Sequence, residues 1–310
     1  MRFRKELSAM VEQIPEGMVS TYGDIARAIG DVVASRTIYS LLQEEWDGGL
    51  PIHRVVTSRG EAALSRYLQM LKEEGVPVEN RKVRNLKDHL FKDFKSERIL
   101  AKLREKQEEL ASKVSLEDGF KRVRTVGGID VAYKGDSAFA ACVILDVEKM
   151  KLVEERRLSG KVTFPYVSTY LSYRELPMIK KIFKRLKTKP DVLMIDGNGI
   201  LHPRRIGIAS HAGLELNVPT IGVTKRLLLG KLGKTPKKIG DFSSIIHEGC
   251  VLGMALKSSK SDRYVFVSPG HMISMKSALD LSRKLCFHRI PEPTRRAHRM
   301  ATELRNKRTG

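Results

Sequence analysis

The sequence predicts an α/β protein in which a mixed sheet flanked by helices follows a small, mainly helical domain with a helix-turn-helix. Three observations predict this fold class. The 310 residues exceed what one domain of roughly 100–200 residues holds. Residues 1–83 have the pattern of short helices separated by turns. From Thr125 onward strand-like runs come first, and strands then alternate with helices, which is typical of a mixed sheet with helices on its faces.

The first domain has two short helices at the spacing of a helix-turn-helix. Ser20 and Thr21 precede a short apolar helix as caps, and a second helix is predicted over Ala34–Gln43. The charged stretch 84–118 predicts two further helices, one closing the first domain and one opening the second. We therefore expect domains at residues 1–90 and 91–310.

The second domain begins with an antiparallel meander, and shorter strands and helices follow it. The pattern predicts strands at Thr125–Tyr133, Phe139–Asp146, Val153–Ser159, Asp191–Ile195, Thr220–Val223 and Tyr264–Val267, and helices at Leu171–Leu186 and Ser274–Cys286.

The net charge of +21 indicates a polyanionic partner, and nucleic acid is the expected one. The alternatives are a basic surface kept for solubility and a membrane-surface protein. No lipidation motif, long basic amphipathic helix or membrane-length apolar run favours a membrane. The three cysteines form no CxxC pair, and the N-terminus lacks a signal-peptide pattern. These features predict a cytoplasmic protein without a disulfide scaffold or a cysteine-rich zinc site.

Carboxylates in apolar strands predict a site for a hard metal ion. Asp130 lies inside an apolar strand, and Asp196 ends another, before a glycine-rich turn. A buried charge is costly unless something pairs with it, and Mg²⁺ binds one or two carboxylates while phosphate oxygens complete its shell. Glu175, on a predicted helix, adds a third carboxylate. The alternative is that Asp196 caps a turn and Asp130 lies at a strand edge.

The first domain resembles the C-terminal domain of alkylguanine-DNA alkyltransferases over about residues 1–83. The matching motifs are Ile14-Pro-Glu-Gly17, Tyr22-Gly-Asp-Ile-Ala26, Ser35-Arg36 and Pro51-Ile-His-Arg-Val-Val56. Those enzymes carry the acceptor cysteine where this chain has Ile52, and isoleucine has no lone pair with which to attack an alkyl group. The domain is therefore similar to the alkyltransferase-like proteins, which bind DNA and a flipped alkylated base without transferring the alkyl group.

This resemblance implies roles for individual residues. Tyr22 would press on the target phosphate, and Arg36 would fill the space that the flipped base leaves. His53, beside the acceptor position Ile52, would be a remnant of the network that activates the nucleophile. A core phenol at Tyr22 and a surface charge at Arg36 are the alternatives, and Trp46 could be a core aromatic or a platform for a base.

The second domain resembles endonuclease V, the deoxyinosine-specific repair nuclease, over about residues 95–310. The resemblance rests on Gly127-Gly-Ile-Asp130, Phe164-Pro-Tyr-Val-Ser168, Tyr173-Arg-Glu175, Asp196-Gly-Asn-Gly199, Ile200-Leu-His202-Pro-Arg204 and Arg295-Arg-Ala-His298. It implies a ribonuclease-H-like fold in which Asp130, Glu175 and Asp196 converge to bind Mg²⁺, with Mn²⁺ as the other possible ion.

The same resemblance implies the remaining site. His298 would be a ligand or would position water, with a helix-surface histidine as the alternative. Tyr166 would separate the strands at the lesion, in a wedge that reads Pro-Tyr-Val-Ser where the family has Pro-Tyr-Ile-Pro. The turn that includes Gly197 and Gly199 would line the pocket for the flipped base together with His202, and Lys225 would offset phosphate charge.

The function implied is hydrolysis of the second phosphodiester bond 3′ to deoxyinosine, which leaves a 3′-hydroxyl and a 5′-phosphate. An inosine-specific endoribonuclease and a non-catalytic lesion-binding protein are the alternatives. We expect a monomer whose partner is inosine-containing and alkylated DNA, and in which tethering raises the local concentration of each domain at DNA that the other has found.

Overall fold

A computed structural model describes residues 2–44 and 49–307. Contacts within the chain group it into two compact units. The first unit comprises Met1–Lys106 with Thr163–Ser168, and the second comprises Gln107–Val162 with Thr169–Gly310. The division at Lys106 falls inside the helix Ile99–Ala111, and the domain boundary at residue 90 stays a prediction. No helix among the described residues is long and apolar enough to cross a membrane.

Short helices and two-residue strands build the first unit. In chain order they are α1 (Arg2–Val11), β1 (Ser20–Thr21), α2 (Tyr22–Ile29), α3 (Ser35–Leu42), β2 (Val55–Val56), α4 (Ser65–Glu73), β3 (Val78–Glu79), β4 (Lys82–Val83) and α5 (Ile99–Ala111).

The predicted helix-turn-helix is formed by α2 and α3. The hydroxyl of Thr21 accepts the backbone N–H of Asp24 and so caps the start of α2. The helix ends at Gly30, whose φ of +117° lies in the left-handed region that glycine adopts readily. The second helix of the pair starts and ends within one residue of its predicted bounds.

One of the two helices predicted in the charged stretch does not form. Only a single 3-10 turn, Leu86–His89, is present there, before α5. The N–H of Val19 donates to the carbonyl of His89, and the N–H of Phe91 donates to the carbonyl of Val19. These bonds hold the backbone near Leu90 in an extended bridge with Val19. Leu86 and Leu90 therefore pack on the core without forming a helix.

Among its described residues the second unit contains a nine-stranded mixed sheet and the four helices that follow β7, and this confirms the predicted fold class. The strands are β5 (Thr125–Lys134), β6 (Ser137–Asp146), β7 (Leu152–Lys161), β8 (Val192–Asp196), β9 (Thr220–Thr224), β10 (Lys231–Leu232), β11 (Phe242–His247), β12 (Cys250–Leu256) and β13 (Val265–His271). The helices are α6 (Leu171–Lys184), α7 (Ile208–Leu216), α8 (Met275–Leu285) and α9 (Glu292–Lys307).

The sheet has the order β10-β11-β12-β13-β9-β8-β5-β6-β7. Its central strands β5, β8 and β9 are parallel, and every other pairing is antiparallel. One face packs against α6 and α7, and the other face packs against α8 and α9. The sequence did not predict β10 to β12, α7 or α9.

The start of α9 packs directly on the backbone of β5. A Cβ atom at Gly128 would lie 2.0 Å from the backbone carbon of Pro293 in the first turn of α9. Glycine is therefore required at this point of the strand, because any side chain would push the helix away from the sheet.

We predict that Gly128→Ala lowers the free energy of unfolding by about 1–3 kcal/mol, the usual cost of overpacking. The matched control is Gly233→Ala, because a Cβ at Gly233 would meet its nearest neighbour at an ordinary 3.6 Å. Chemical denaturation of both variants measures the difference. Equal stability of the two variants would contradict the close packing of α9 on β5.

Candidate functional site

The parallel register of β5 and β8 places Asp130 and Asp196 side by side. Ile129 pairs with Ile195, so the next residue of each strand is an aspartate. Successive side chains of a strand point to opposite faces of the sheet. Because the two isoleucines belong to the core under α6 and α7, both carboxylates point to the face that α9 covers.

His298 completes a compact group of possible metal ligands. It lies on α9, and its Nδ1 atom is 2.7 Å from Oδ2 of Asp130. One ligand atom each from Asp130, Asp196 and His298 lie within 4.8 Å of one another. The hydrogen bond to Asp130 is the main cause that raises the pKa of His298, so the imidazole retains its proton more readily than a free histidine.

Lys225 lies beside this group, directly after β9, with its Nζ atom 3.5 Å from Oδ2 of Asp196. Burial and the negative charge of Asp130 raise the pKa of Asp196, and Lys225 offsets part of that increase. Lys225 thus lies next to the carboxylates, and its role in offsetting phosphate charge stays a prediction.

Glu175 is close to the group but does not belong to its tightest set. It lies buried on α6. Burial first, and then the negative charges of Asp130 and Asp196, raise the pKa of Glu175 well above its usual range. The predicted third carboxylate thus interacts electrostatically with the other two, while its place as a metal ligand stays a prediction.

The donor set fits a hard divalent cation. Two carboxylates and an imidazole supply oxygen and nitrogen ligands, which suit ions such as Mg²⁺ and Mn²⁺. Burial first, and then the charge of neighbouring carboxylates, raise the pKa values of Asp196 and Glu175, so part of the increase comes from crowded negative charge. A bound cation would relieve that repulsion.

The two predicted glycines hold the end of β8 against its neighbours. A Cβ at Gly197 would lie 2.4 Å from Cγ2 of Ile208, and one at Gly199 would lie 1.9 Å from the carbonyl oxygen of Pro269. Their N–H groups donate to the Val223 carbonyl and the Ser268 hydroxyl. Both amides are thus used within the protein, and a contact of these glycines with a lesion stays a prediction.

Both ring nitrogens of His202 are engaged within the protein. Its Nδ1 accepts the N–H of Arg204 at 3.3 Å, and its Nε2 lies 3.0 Å from the carbonyl oxygen of Thr169. A carbonyl can only accept, so Nε2 carries the hydrogen. Burial, with the nearby charge of Arg204, lowers the pKa of His202 to about 3, which keeps the ring neutral. Its lesion contact also stays a prediction.

The segment Thr163–Ser168, here called the wedge segment, belongs to the first compact unit. Pro165 and Val167 are buried, whereas the side chain of Tyr166 between them is 63% exposed. The hydroxyl of Thr37 on α3 donates to the carbonyl oxygen of Tyr166 at 2.7 Å. The segment is thus anchored on both sides of a protruding aromatic ring, and the strand-separating role of Tyr166 stays a prediction.

The two predicted DNA contacts of the first unit differ in exposure. Tyr22 is buried at the start of α2, packed edge-to-face against the exposed Tyr39. Its hydroxyl has no hydrogen-bond partner among the described residues, and burial raises the pKa of this phenol. Arg36 is exposed on α3. Trp46 lies outside the described residues.

A charged network surrounds the position of the missing acceptor cysteine. Nε2 of His53 lies 2.6 Å from Glu74, and the guanidinium of Arg54 donates to both oxygens of the same carboxylate. Burial would raise the pKa of Glu74, but these hydrogen bonds outweigh it and hold the pKa below its usual range. His53 is therefore held in place next to Ile52, a side chain that cannot accept an alkyl group.

The sequence did not predict a role for Gln107 or Arg204, both of which bond to the backbone of Thr169. Arg204 lies within the family motif that contains His202, so the sequence offers a reason to consider it as a site residue. Gln107 lies on a helix of ordinary charged composition, and no pattern in the sequence distinguishes it from its neighbours.

Comparison with protein families yields two matches that divide the chain. A model described as Endonuclease V matches residues 108–299. A model described as the DNA-binding domain of 6-O-methylguanine DNA methyltransferase matches residues 2–76.

Individual relatives agree with these matches. Endonuclease V of Dictyoglomus turgidum is 42% identical over 201 residues, which cover 64% of this chain and 88% of that protein. A bifunctional methyltransferase/endonuclease of Picrophilus torridus is 32% identical over 305 residues, covering 96% of this chain and 95% of that protein.

A solved structure of similar fold is that of Ciona intestinalis endonuclease V in complex with a 23mer DNA containing an inosine followed by a ribo-adenosine. It has a TM-score of 0.63 and 31% identity, and covers 69% of this chain and 99% of that one. The chain therefore belongs to the endonuclease V family of DNA endonucleases and carries an N-terminal domain of the alkyltransferase-like DNA-binding type.

Proposed function

We propose that this protein is a DNA repair endonuclease that hydrolyses the second phosphodiester bond 3′ to deoxyinosine and leaves a 3′-hydroxyl and a 5′-phosphate. The observation that carries the proposal is the convergence of Asp130, Asp196 and His298 on one small volume in a chain of the endonuclease V family. The inosine-containing DNA bound by the Ciona relative supports the choice of substrate. The net charge of +21 suits a polyanionic partner.

Asp130, Asp196 and His298, with Glu175 close by, would hold Mg²⁺ or Mn²⁺. When bound, such a cation supplies Lewis acidity and charge neutralisation for phosphodiester hydrolysis. The hydrogen bond between His298 and Asp130 would fix the orientation of the imidazole, and the carboxylate raises its pKa. Lys225 places a further positive charge beside the carboxylates, where it would offset the charge of the scissile phosphate.

Recognition of the lesion would begin at the wedge segment. The ring of Tyr166 is exposed and its neighbours are buried, so it would insert between the two strands of the DNA. Flipping a base costs a few kcal/mol and costs least at a weakened pair, so the energy of flipping itself selects deaminated or mismatched bases.

The N-terminal domain would bind DNA and alkylated guanine without accepting the alkyl group. The Picrophilus relative is named a methyltransferase, but this chain has Ile52 at the acceptor position and no cysteine before Cys142. We propose domains at 1–90 and 91–310, a boundary that falls between the two family matches. We further propose that the protein is monomeric and cytoplasmic. Its single chain would search DNA for both kinds of damage.

We predict that Asp196→Asn lowers the rate of incision of inosine-containing duplex DNA by more than about 100-fold, beyond the loss typical of groups that only support a ligand. Binding of the same DNA should persist, because one fewer negative charge does not weaken the affinity for phosphates. The control is Asp136→Asn, at an exposed turn between β5 and β6. The assay follows end-labelled strands in the presence of Mg²⁺ or Mn²⁺.

The same assay separates the alternatives. Cutting of a matched RNA strand with one inosine, in preference to the DNA strand, would indicate an endoribonuclease. Binding without cutting of either the DNA or the RNA strand would indicate a non-catalytic lesion-binding protein. Incision by Asp196→Asn at the wild-type rate would refute the proposed catalytic centre.

The crowded carboxylates predict a pH-dependent effect of cations on stability. The folded-state pKa of Glu175 is raised, so the folded protein binds its proton more tightly than the unfolded chain does. That contribution to stability is present below the ordinary glutamate pKa of 4.5 and is lost as the pH rises through the folded-state value. Asp196 acts in the same direction.

We therefore expect Mg²⁺ or Mn²⁺ to raise the Tm more at pH 8 than at pH 5. A cation at a hundred times its Kd adds about 2.7 kcal/mol of stability. Without cation at pH 8, Asp196→Asn should melt above the wild type, because one of the repelling charges is gone. Calorimetry with and without EDTA measures both effects. A lower Tm for the cation-free variant would count against repulsion within the site.

For the N-terminal domain, we predict that incubation with O6-methylguanine DNA adds no methyl group to the protein. Arg36→Ala should raise the Kd for this DNA roughly tenfold, because one contact within a base stack is worth about 1–3 kcal/mol. The control Arg59→Ala removes the same charge from an exposed turn of the same unit. Intact-protein mass spectrometry and fluorescence anisotropy are the measurements. A methylated protein, or equal losses in both variants, would contradict the proposed role.

A further inference from the structure

Thr169 has a backbone conformation that a threonine rarely adopts. Its φ is +64°, in the left-handed region. A β-branched residue there is a genuine outlier, and such strain persists only where the surroundings impose it. Thr169 directly follows the wedge segment in the sequence, and the buried Tyr170 and then α6 come next.

Three side chains donate hydrogen bonds to one backbone atom of Thr169. The carbonyl oxygen of Thr169 accepts hydrogen bonds from Gln107 Nε2 at 3.1 Å, His202 Nε2 at 3.0 Å and Arg204 at 2.8 Å. Arg204 also donates to the hydroxyl of Thr169 at 2.8 Å. A carbonyl has two lone pairs, so three donors are more than ordinary backbone satisfaction requires.

The three side chains also hold one another. Nε of Arg204 donates to Oε1 of Gln107 at 2.8 Å, and the backbone N–H of Arg204 donates to Nδ1 of His202. The guanidinium lies 4.6 Å from the centre of the Tyr170 ring. Gln107 and His202 are almost fully buried. Gln107, His202 and Arg204, here called the Thr169 clamp, therefore form a closed network whose polar groups point at the backbone.

The place of the clamp in the chain suggests what it does. Thr169 determines the direction in which the chain enters α6, and Glu175 lies in the first half of that helix. A change of φ at Thr169 would reorient the start of α6, and with it the carboxylate that interacts with Asp130 and Asp196.

We propose that Gln107, His202 and Arg204 are positioning residues for incision, which hold Thr169 in its strained conformation and thereby fix the start of α6 and Glu175. The inference rests on the proposed function for its activity readout. It gives His202 a structural task in place of a contact with the flipped base.

The test is a double-mutant cycle between Arg204→Lys and Thr169→Gly in the full chain. Lysine keeps the positive charge but cannot bond the carbonyl, the hydroxyl and Gln107 together. Glycine adopts a positive φ without strain, so it needs no clamp. The control Arg205→Lys makes the same exchange at the adjacent, exposed arginine.

We expect Arg204→Lys to lower kcat for inosine-DNA incision about 10- to 100-fold, as small misplacements of catalytic groups do, with the Kd for DNA nearly unchanged. Thr169→Gly alone removes the hydroxyl that Arg204 bonds but leaves the three bonds to the carbonyl, so it should cost much less than Arg204→Lys, and the double variant should recover most of the lost rate. An equally impaired double variant, or a loss that appears in the Kd instead of kcat, would overturn the proposal, because both outcomes indicate that Arg204 contacts the DNA.

Hydrogen exchange supplies a readout that does not depend on activity. Arg204→Lys should speed amide exchange over residues 163–171, and Thr169→Gly added to it should restore protection. If the wild-type chain cuts no inosine strand but the exchange pattern follows this expectation, the proposed function fails and the clamp stands. Unchanged exchange in Arg204→Lys would refute the clamp itself.

Discussion

The repulsion between Asp130 and Asp196 is the constraint on which the site depends. The parallel register of β5 and β8 forces the two carboxylates together on one face of the sheet. Burial and mutual charge then raise the pKa of Asp196, and Glu175 adds to the crowding from α6. A fold selected for stability alone would not keep this cluster. The cluster lowers the stability of the fold, and this is expected where its charge binds a cation, because functional sites often trade stability for activity.

Asp130 and Asp196 could be singled out from the sequence because charges inside apolar strands are conspicuous, and their convergence with Glu175 was implied by the family resemblance. Asp130 and Asp196 each interrupt or end a hydrophobic run, and the strands that carry them were predicted within one residue at most ends. His298 was named through the family motif. The physical reason for its position, the packing of α9 on the bare backbone of Gly128, is a tertiary contact that no local pattern reveals.

The two helices α7 and α9 were not predicted for different reasons. The helix α7 is rich in small, buried residues and has little contrast between its faces. The helix α9 does bury one face, which includes Ala297, Met300 and Ala301, but its charged residues outnumber its apolar ones. The residues near Leu86 have the apolar spacing of a helix, but the backbone that follows them pairs with Val19 instead. Periodicity thus identified strands well and identified helices only where one face is apolar and the other polar.

The wedge segment shows how long-range structure replaces a local device. A second proline in place of Ser168 would stiffen the chain after Tyr166, and this sequence lacks it. Burial of Pro165 and Val167 and the hydrogen bond from Thr37 to the carbonyl oxygen of Tyr166 hold the segment on both sides of the ring. The Thr169 clamp fixes the residue that follows it. Rigidity that a proline would supply by restricting φ is supplied here by side chains distant in the sequence, and such compensation is invisible until the fold brings them together.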